Sequence, residues 1–141
     1  MIQRIQSLWL LLSTLCAALI WIIPIFGGMG SDNLPKAFSI RESLILMFIV
    51  ALATILPFTT IFLFKSRSTQ KKLIIITIFL AIAIIAAEYL LVEQFKTSFG
   101  VAQGNWQLSA ILPFFIILFN VFSYRGIIHD EKLLSSADRM R

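Results

Sequence analysis

The sequence predicts an all-α polytopic membrane protein, a four-helix transmembrane bundle. Three observations carry that reading. Four long apolar stretches, residues 7–26, 43–64, 73–92 and 107–124, are separated by short polar gaps, and each approaches the roughly 20 residues a helix needs to cross a bilayer core of about 30 Å. The chain is 59% hydrophobic and 13% charged over 141 residues, with a mean hydropathy of +0.92. A water-soluble protein of this size would lack polar surface to cover its core. The basic residues also segregate. Arg4, Lys65, Arg67, Lys71, Lys72, Arg125, Lys132, Arg139 and Arg141 fall on the side of the two termini, against Lys36, Arg41 and Lys96 opposite. Cytoplasmic loops retain positive charge, so both termini are expected in the cytoplasm.

The first stretch follows Met1-Ile2-Gln3-Arg4 in the manner of a secretory signal. It continues past Cys16 to Ile25 without a small-x-small cleavage site, so it is expected to remain as a span. Cys16, the single cysteine, reads as a membrane-buried thiol without an intramolecular disulfide partner. The next segment, from Gly27 to Pro35, is rich in turn formers and predicts a flexible, nearly neutral loop. Helix two is expected to start near Ser39, with Pro57 kinking its inner half. The link from Lys65 to Lys72 is short, which predicts that helices two and three are antiparallel neighbours. A second outer loop is expected at about residues 94–106, ahead of the fourth span. The organisation is then a transmembrane domain over residues 1–124 and a cytoplasmic amphipathic tail over 125–141.

Small and polar residues at helical spacing mark the faces on which the helices meet. Gln3, Gln6, Ser13 and Ala17 share one side of helix one, and Thr54 and Pro57 lie together on helix two. Thr77, Ala81 and Glu88 share a face of helix three, and Ser109, Pro113, Asn120 and Tyr124 form a stripe on helix four. These faces read as bundle seams in preference to a transport path. Trp9, Trp21, Tyr89, Trp106 and Tyr124 fall near span ends, as interfacial anchors do.

Glu88 and Asn120 are the candidate intramembrane polar site. A carboxylate within a span is costly unless paired or neutralised, and no basic residue lies in the neighbouring turns. Glu88 is either a proton or cation site or a hydrogen-bonded structural group facing a partner helix, and the structural reading is preferred. Asn120 lies toward the inner end, far along the axis.

Other chemistry finds little support. The net charge of +5 flanks apolar spans instead of forming a stripe with interleaved aromatics, so it argues for anionic lipid headgroups at the cytoplasmic face and against nucleic acid. The sole histidine, His129, stands beside Asp130 and Glu131 but has no second histidine or cysteine to complete a zinc or haem set. Phosphate loops and nucleophile elbows are missing too. No cofactor and no enzymatic activity are expected.

The tail carries more signal. Leu133, Leu134, Ala137 and Met140 recur as on an amphipathic helix, with Asp130 and Glu131 near its start and Arg139 and Arg141 at its end. Such a helix can lie on a membrane, dock on a protein or fold back on its own bundle. The opening Met1-Ile2-Gln3-Arg4-Ile5-Gln6, and the closing Tyr124-Arg125-Gly126-Ile127, Asp130-Glu131-Lys132-Leu133 and Ser136-Ala137-Asp138-Arg139, resemble an uncharacterised family of bacterial four-span inner-membrane proteins. The resemblance covers the whole chain. It implies a multi-pass protein of the bacterial inner membrane and carries no activity, catalytic residue or cofactor with it.

The expectation is a non-enzymatic accessory or scaffold subunit of a larger inner-membrane complex, secretory or respiratory, whose partners are other integral membrane proteins. Its docking surface would comprise Gln3, Arg4, Gln6, Arg125, Asp130, Glu131, Leu133, Leu134, Ala137, Asp138, Arg139 and Met140. Two alternatives stand beside it: a small oligomeric channel or ion-coupled transporter using Glu88, and a lipid-binding membrane-organising protein.

Overall fold

The computed structural model describes residues 3–63, 66–101 and 103–139. It contains four α-helices, α1 (Gln3–Ile20), α2 (Leu44–Phe62), α3 (Arg67–Phe99) and α4 (Leu112–Arg139). Three of them, α2, α3 and α4, are long and apolar enough to cross a membrane, while the apolar part of α1 is shorter. Large apolar side chains such as Leu44, Phe48, Phe79 and Phe114 stand exposed around the outside of the helices, an arrangement that fits a lipid surround.

The all-α expectation is corrected at one end of the bundle. Three short strands, β1 (Phe26–Met29), β2 (Pro35–Phe38) and β3 (Gln103–Trp106), form an antiparallel sheet in the order β2-β1-β3. β1 and β2 connect α1 to α2 and β3 connects α3 to α4, so the central strand ties one helical hairpin to the other. The segment read as a flexible glycine loop therefore supplies the middle strand. Glycine is required there by close approach: a Cβ on Gly28 would lie 2.6 Å from the Gln103 carbonyl oxygen and 2.6 Å from Val101 Cγ1.

Helix boundaries shift for local reasons. α1 stops at Ile20 and not at residue 26, its last carbonyls taken by the amides of Trp21, Ile22 and Ile23. Pro24 follows, and the residue before a proline is driven out of helical conformation. α2 begins at Leu44, after a short 3₁₀ turn (Ile40–Glu42) and not at Ser39. Ser43 caps it by accepting from the Leu46 amide at 3.4 Å. The helix runs through Pro57 to Phe62. α3 overruns its predicted end, continuing to Phe99, where Gly100 adopts a left-handed φ of 59° and closes it. The loop expected over residues 94–106 thus shrinks to the few residues before β3. Ahead of α4 lies a 3₁₀ turn (Leu108–Ile111), and Pro113 occupies the first turn of α4, where its missing N–H breaks no bond. Pro113 is therefore no mid-helix hinge. α4 has no break at residue 125, and the tail is its continuation.

One apolar core runs between the helices beneath the sheet, through Ala17, Ile20, Leu46, Val50, Ala53, Ala81, Ile84 and Ile116, and up to Phe26 and Phe38. A smaller cluster of Leu10, Ile74 and Ile127 fills the end nearer the termini.

Candidate functional site

Of the polar residues predicted to share helix faces, Gln6, Ser13, Thr77, Glu88, Ser109 and Asn120 are buried, and the structure gives partners to some of them. On α1, Gln6, Leu10, Ser13, Ala17 and Ile20 are buried at helical spacing against α4. Asn120 of α4 donates its amide to Ser13 Oγ at 2.6 Å and to the Ile116 carbonyl at 2.8 Å. Nearly three turns further along α4, the Gln6 amide donates to Asp130 Oδ2 at 2.5 Å. Gly126 permits that closeness, since a Cβ there would lie 3.0 Å from Gln6 Cγ. Trp9 packs on Phe119 and Phe122 of α4 along the same seam, so it is held between helices and does not stand free as an anchor.

α3 joins the bundle through two further polar contacts. Gln70, which the sequence reading passed over, is buried and donates to the Thr60 carbonyl of α2 at 3.1 Å. Lys71 pairs with Glu131 of α4 at 2.8 Å. A glutamine in the first turn after a short interhelical link was the signal available for the first of these. Glu88 lies about 26 Å of helical rise beyond Lys71, at the level of the first turns of α4. Its side chain is 3% exposed, and its Oε1 has no hydrogen-bond partner. Ser109 Oγ, Asn120 Oδ1, Ser123 Oγ and Asp130 Oδ1 share that condition. Ser123 was missed because the predicted stripe ran through Tyr124, one position along. The Glu88 and Asn120 candidates are thus both interior, at different depths, and are not brought together.

The docking candidates divide. Gln6 is 8% exposed and Asp130 is its partner, so these two lie inside the α1–α4 seam and not on an open surface. Glu131 is half-buried and engaged by Lys71. Arg125, Leu133 and Leu134 are exposed on α4, the two leucines at 47% and 53%. Gln3 and Arg4 belong to α1, and Ala137, Asp138 and Arg139 to α4, but their side chains fall outside what is described, and Met140 lies outside the described residues. His129 is exposed, and among the described residues no three histidine, cysteine or acidic side chains converge as a metal site would need.

The sheet end holds a second cluster. Lys96 pairs with Glu93 at 2.8 Å and sits over the rings of Phe26 and Trp106, at 5.1 Å and 5.7 Å from their centroids. Lys36 pairs with Asp32 at 3.2 Å and sits 5.3 Å from the Phe99 centroid. The ammonium of Lys36, hydrogen-bonded to Asp32, holds that carboxyl below its ordinary value.

No curated protein and no solved structure matches the chain. One family model does, over residues 2–140, and by that match the chain belongs to the uncharacterised family described as Domain of unknown function (DUF4293).

Proposed function

We propose that the protein is a four-span subunit of the bacterial inner membrane with both termini in the cytoplasm, a non-enzymatic accessory or scaffold for a larger membrane complex. The observation that carries this reading is the end of α4. A helix starting at Leu112 crosses a bilayer core in about 20 residues, reaching the neighbourhood of Glu131. The remaining turns, with exposed Leu133 and Leu134, then emerge from the hydrocarbon core through the headgroup layer. The Gln6–Asp130 and Lys71–Glu131 contacts brace its base. Two neighbouring leucines exposed at the edge of the hydrocarbon core on a braced helix suit a partner's apolar groove.

The test is purification of the tagged chain at native expression in mild detergent, with native mass and identification of every stoichiometric chain. A heteromeric complex lost on Leu133→Glu with Leu134→Glu supports the reading. A monomer or homo-oligomer, or a complex indifferent to both changes, overturns it.

A second reading, an oligomeric channel or ion-coupled transporter, is favoured by Glu88, whose buried Oε1 has no partner. It expects proton or cation flux in reconstituted vesicles that Glu88→Gln abolishes while assembly persists. The lipid-binding alternative draws on Arg67, Lys71, Lys72, Arg125 and Lys132 near the same end, and expects anionic lipid to copurify.

A further inference from the structure

A cleft of about 270 Å³ opens between the start of α2 and the last turns of α3, beneath β2. Phe38, Phe95 and Phe99 line it, together with Glu42, Gln94 and Ser98. The three rings are not flat against one another. Phe38 and Phe95 lie 5.4 Å apart at 55°, and Phe95 and Phe99 lie 4.8 Å apart at 48°, so the aromatic wall is faceted.

The charge of the lining has one sign. It contains a carboxylate and no basic side chain. Among the described residues Glu42 takes part in no ion pair, whereas the nearby lysines pair with other carboxylates: Lys36, which also sits 5.3 Å from the Phe99 centroid, with Asp32, and Lys96 with Glu93. Neither lysine lines the cleft. The final turn of α3 adds the partial negative charge of its carbonyl end. An anion drawn to the start of α2 would meet Glu42 there first, with Ser43 already capping the helix.

The volume lies just below the usual range for drug-sized ligands, so the occupant is small. Aromatic rings beside an exposed carboxylate suit an alkylammonium. The cleft also stands where the apolar runs of α2 and α3 give way to Arg41, Glu42, Glu93 and Gln94. In a bilayer that is the depth of lipid headgroups.

We propose that this cleft is a binding site for a small alkylammonium group, as carried by an ethanolamine or choline headgroup or by a free amine, with Glu42 as counter-ion and the Phe38, Phe95 and Phe99 rings as its apolar wall. The proposal concerns the sheet end and is independent of the docking surface at the termini.

The full chain, delipidated in mild detergent, is titrated by native mass spectrometry with phosphatidylethanolamine, phosphatidylcholine and phosphatidylglycerol bearing identical acyl chains. The amine headgroups are expected to bind about fivefold more tightly than glycerol, the ratio for roughly 1 kcal/mol of cation–π and ion-pair attraction. Glu42→Gln brings the ratio near one. Phe99→Leu, at an exposed ring, reduces it and serves if Glu42→Gln does not fold. Competition by free tetramethylammonium assigns the site to ammonium from either source. A headgroup preference that tetramethylammonium does not displace, yet Glu42→Gln removes, assigns it to lipid alone. Equal binding of the three lipids by the unaltered protein, or a preference unchanged in both variants, overturns the proposal.

Discussion

Asn120 on α4 and Ser13 on α1 meet in the middle of the bundle, amide to hydroxyl at 2.6 Å, both with no exposed surface. Lipid gives no reward for bringing two apolar helix faces together, so such a contact helps to fix the α1–α4 register. The same amide holds the Ile116 carbonyl at 2.8 Å, which orients the side chain before it reaches Ser13.

A double-mutant cycle on Ser13→Ala and Asn120→Ala measures the pair. The expected coupling is about 0.6 kcal/mol and no more than about 1.7 kcal/mol, the range for interhelical hydrogen bonds in bilayers. Reversible unfolding in bicelles provides the reading. Additive single effects would show that packing alone sets the register.

At the opposite end, Gly104 faces Gly28 directly across the β1–β3 pair. A Cβ on Gly104 would lie 2.8 Å from the Gly27 carbonyl oxygen and 2.8 Å from Phe26 Cε1, both firmly held. Gly104→Ala is expected to part β3 from β1 at a cost of about 1–3 kcal/mol, as overpacking does. Limited proteolysis should then cut near residues 100–106 well before the unaltered chain is cut. Unchanged resistance would mean that the sheet yields without loss.

The helical faces were legible from spacing, because burial on a bundle repeats with the helix turn: Ser13 and Ala17, Thr77, Ala81 and Glu88 all point inward as their positions require. The sheet was not legible. Gly27 and Gly28 carry turn chemistry in isolation, and only the backbone of β3, far along the chain, makes them a strand. The length of α3 was obscured by Glu93 and Lys96, which read as the edge of a loop. They pair with each other one turn apart and let the helix continue to Gly100. Gly126, within the segment read as a separate tail, is the small residue that admits Gln6 against α4.

Asp32 and Lys36 offer a pH probe of the β1–β2 turn. The hydrogen bond from Lys36 depresses the Asp32 carboxyl below its ordinary 3.8. A depressed carboxyl stabilises the fold above its unfolded-state pKa, and that contribution is lost as pH falls through the folded value. A side-chain carbon titration of Asp32 should therefore show a midpoint below 3.8. Lys36→Met should raise it toward the ordinary value, the Leu34 amide still holding it down in part, and high salt should narrow the difference, since the pair is exposed. An ordinary midpoint in the unaltered protein would mean that the pair does not persist in solution.

Glu88 separates stability from function most directly. A buried polar atom without a partner costs roughly 1–3 kcal/mol, and Glu88 Oε1 is one, on a side chain 3% exposed. Methionine has similar volume and no polar oxygen, so Glu88→Met is expected to stabilise the bundle by about 1 kcal/mol. Glu88→Ala leaves a void, and is expected to destabilise it by about 2 kcal/mol. If Glu88→Met stabilises while removing a vesicle flux, the carboxylate is held at the expense of stability for ion movement. If it stabilises and no flux exists to remove, the transporter reading fails. A loss above about 1 kcal/mol on Glu88→Met would instead show that the carboxyl is satisfied in the folded state, and that its value is structural.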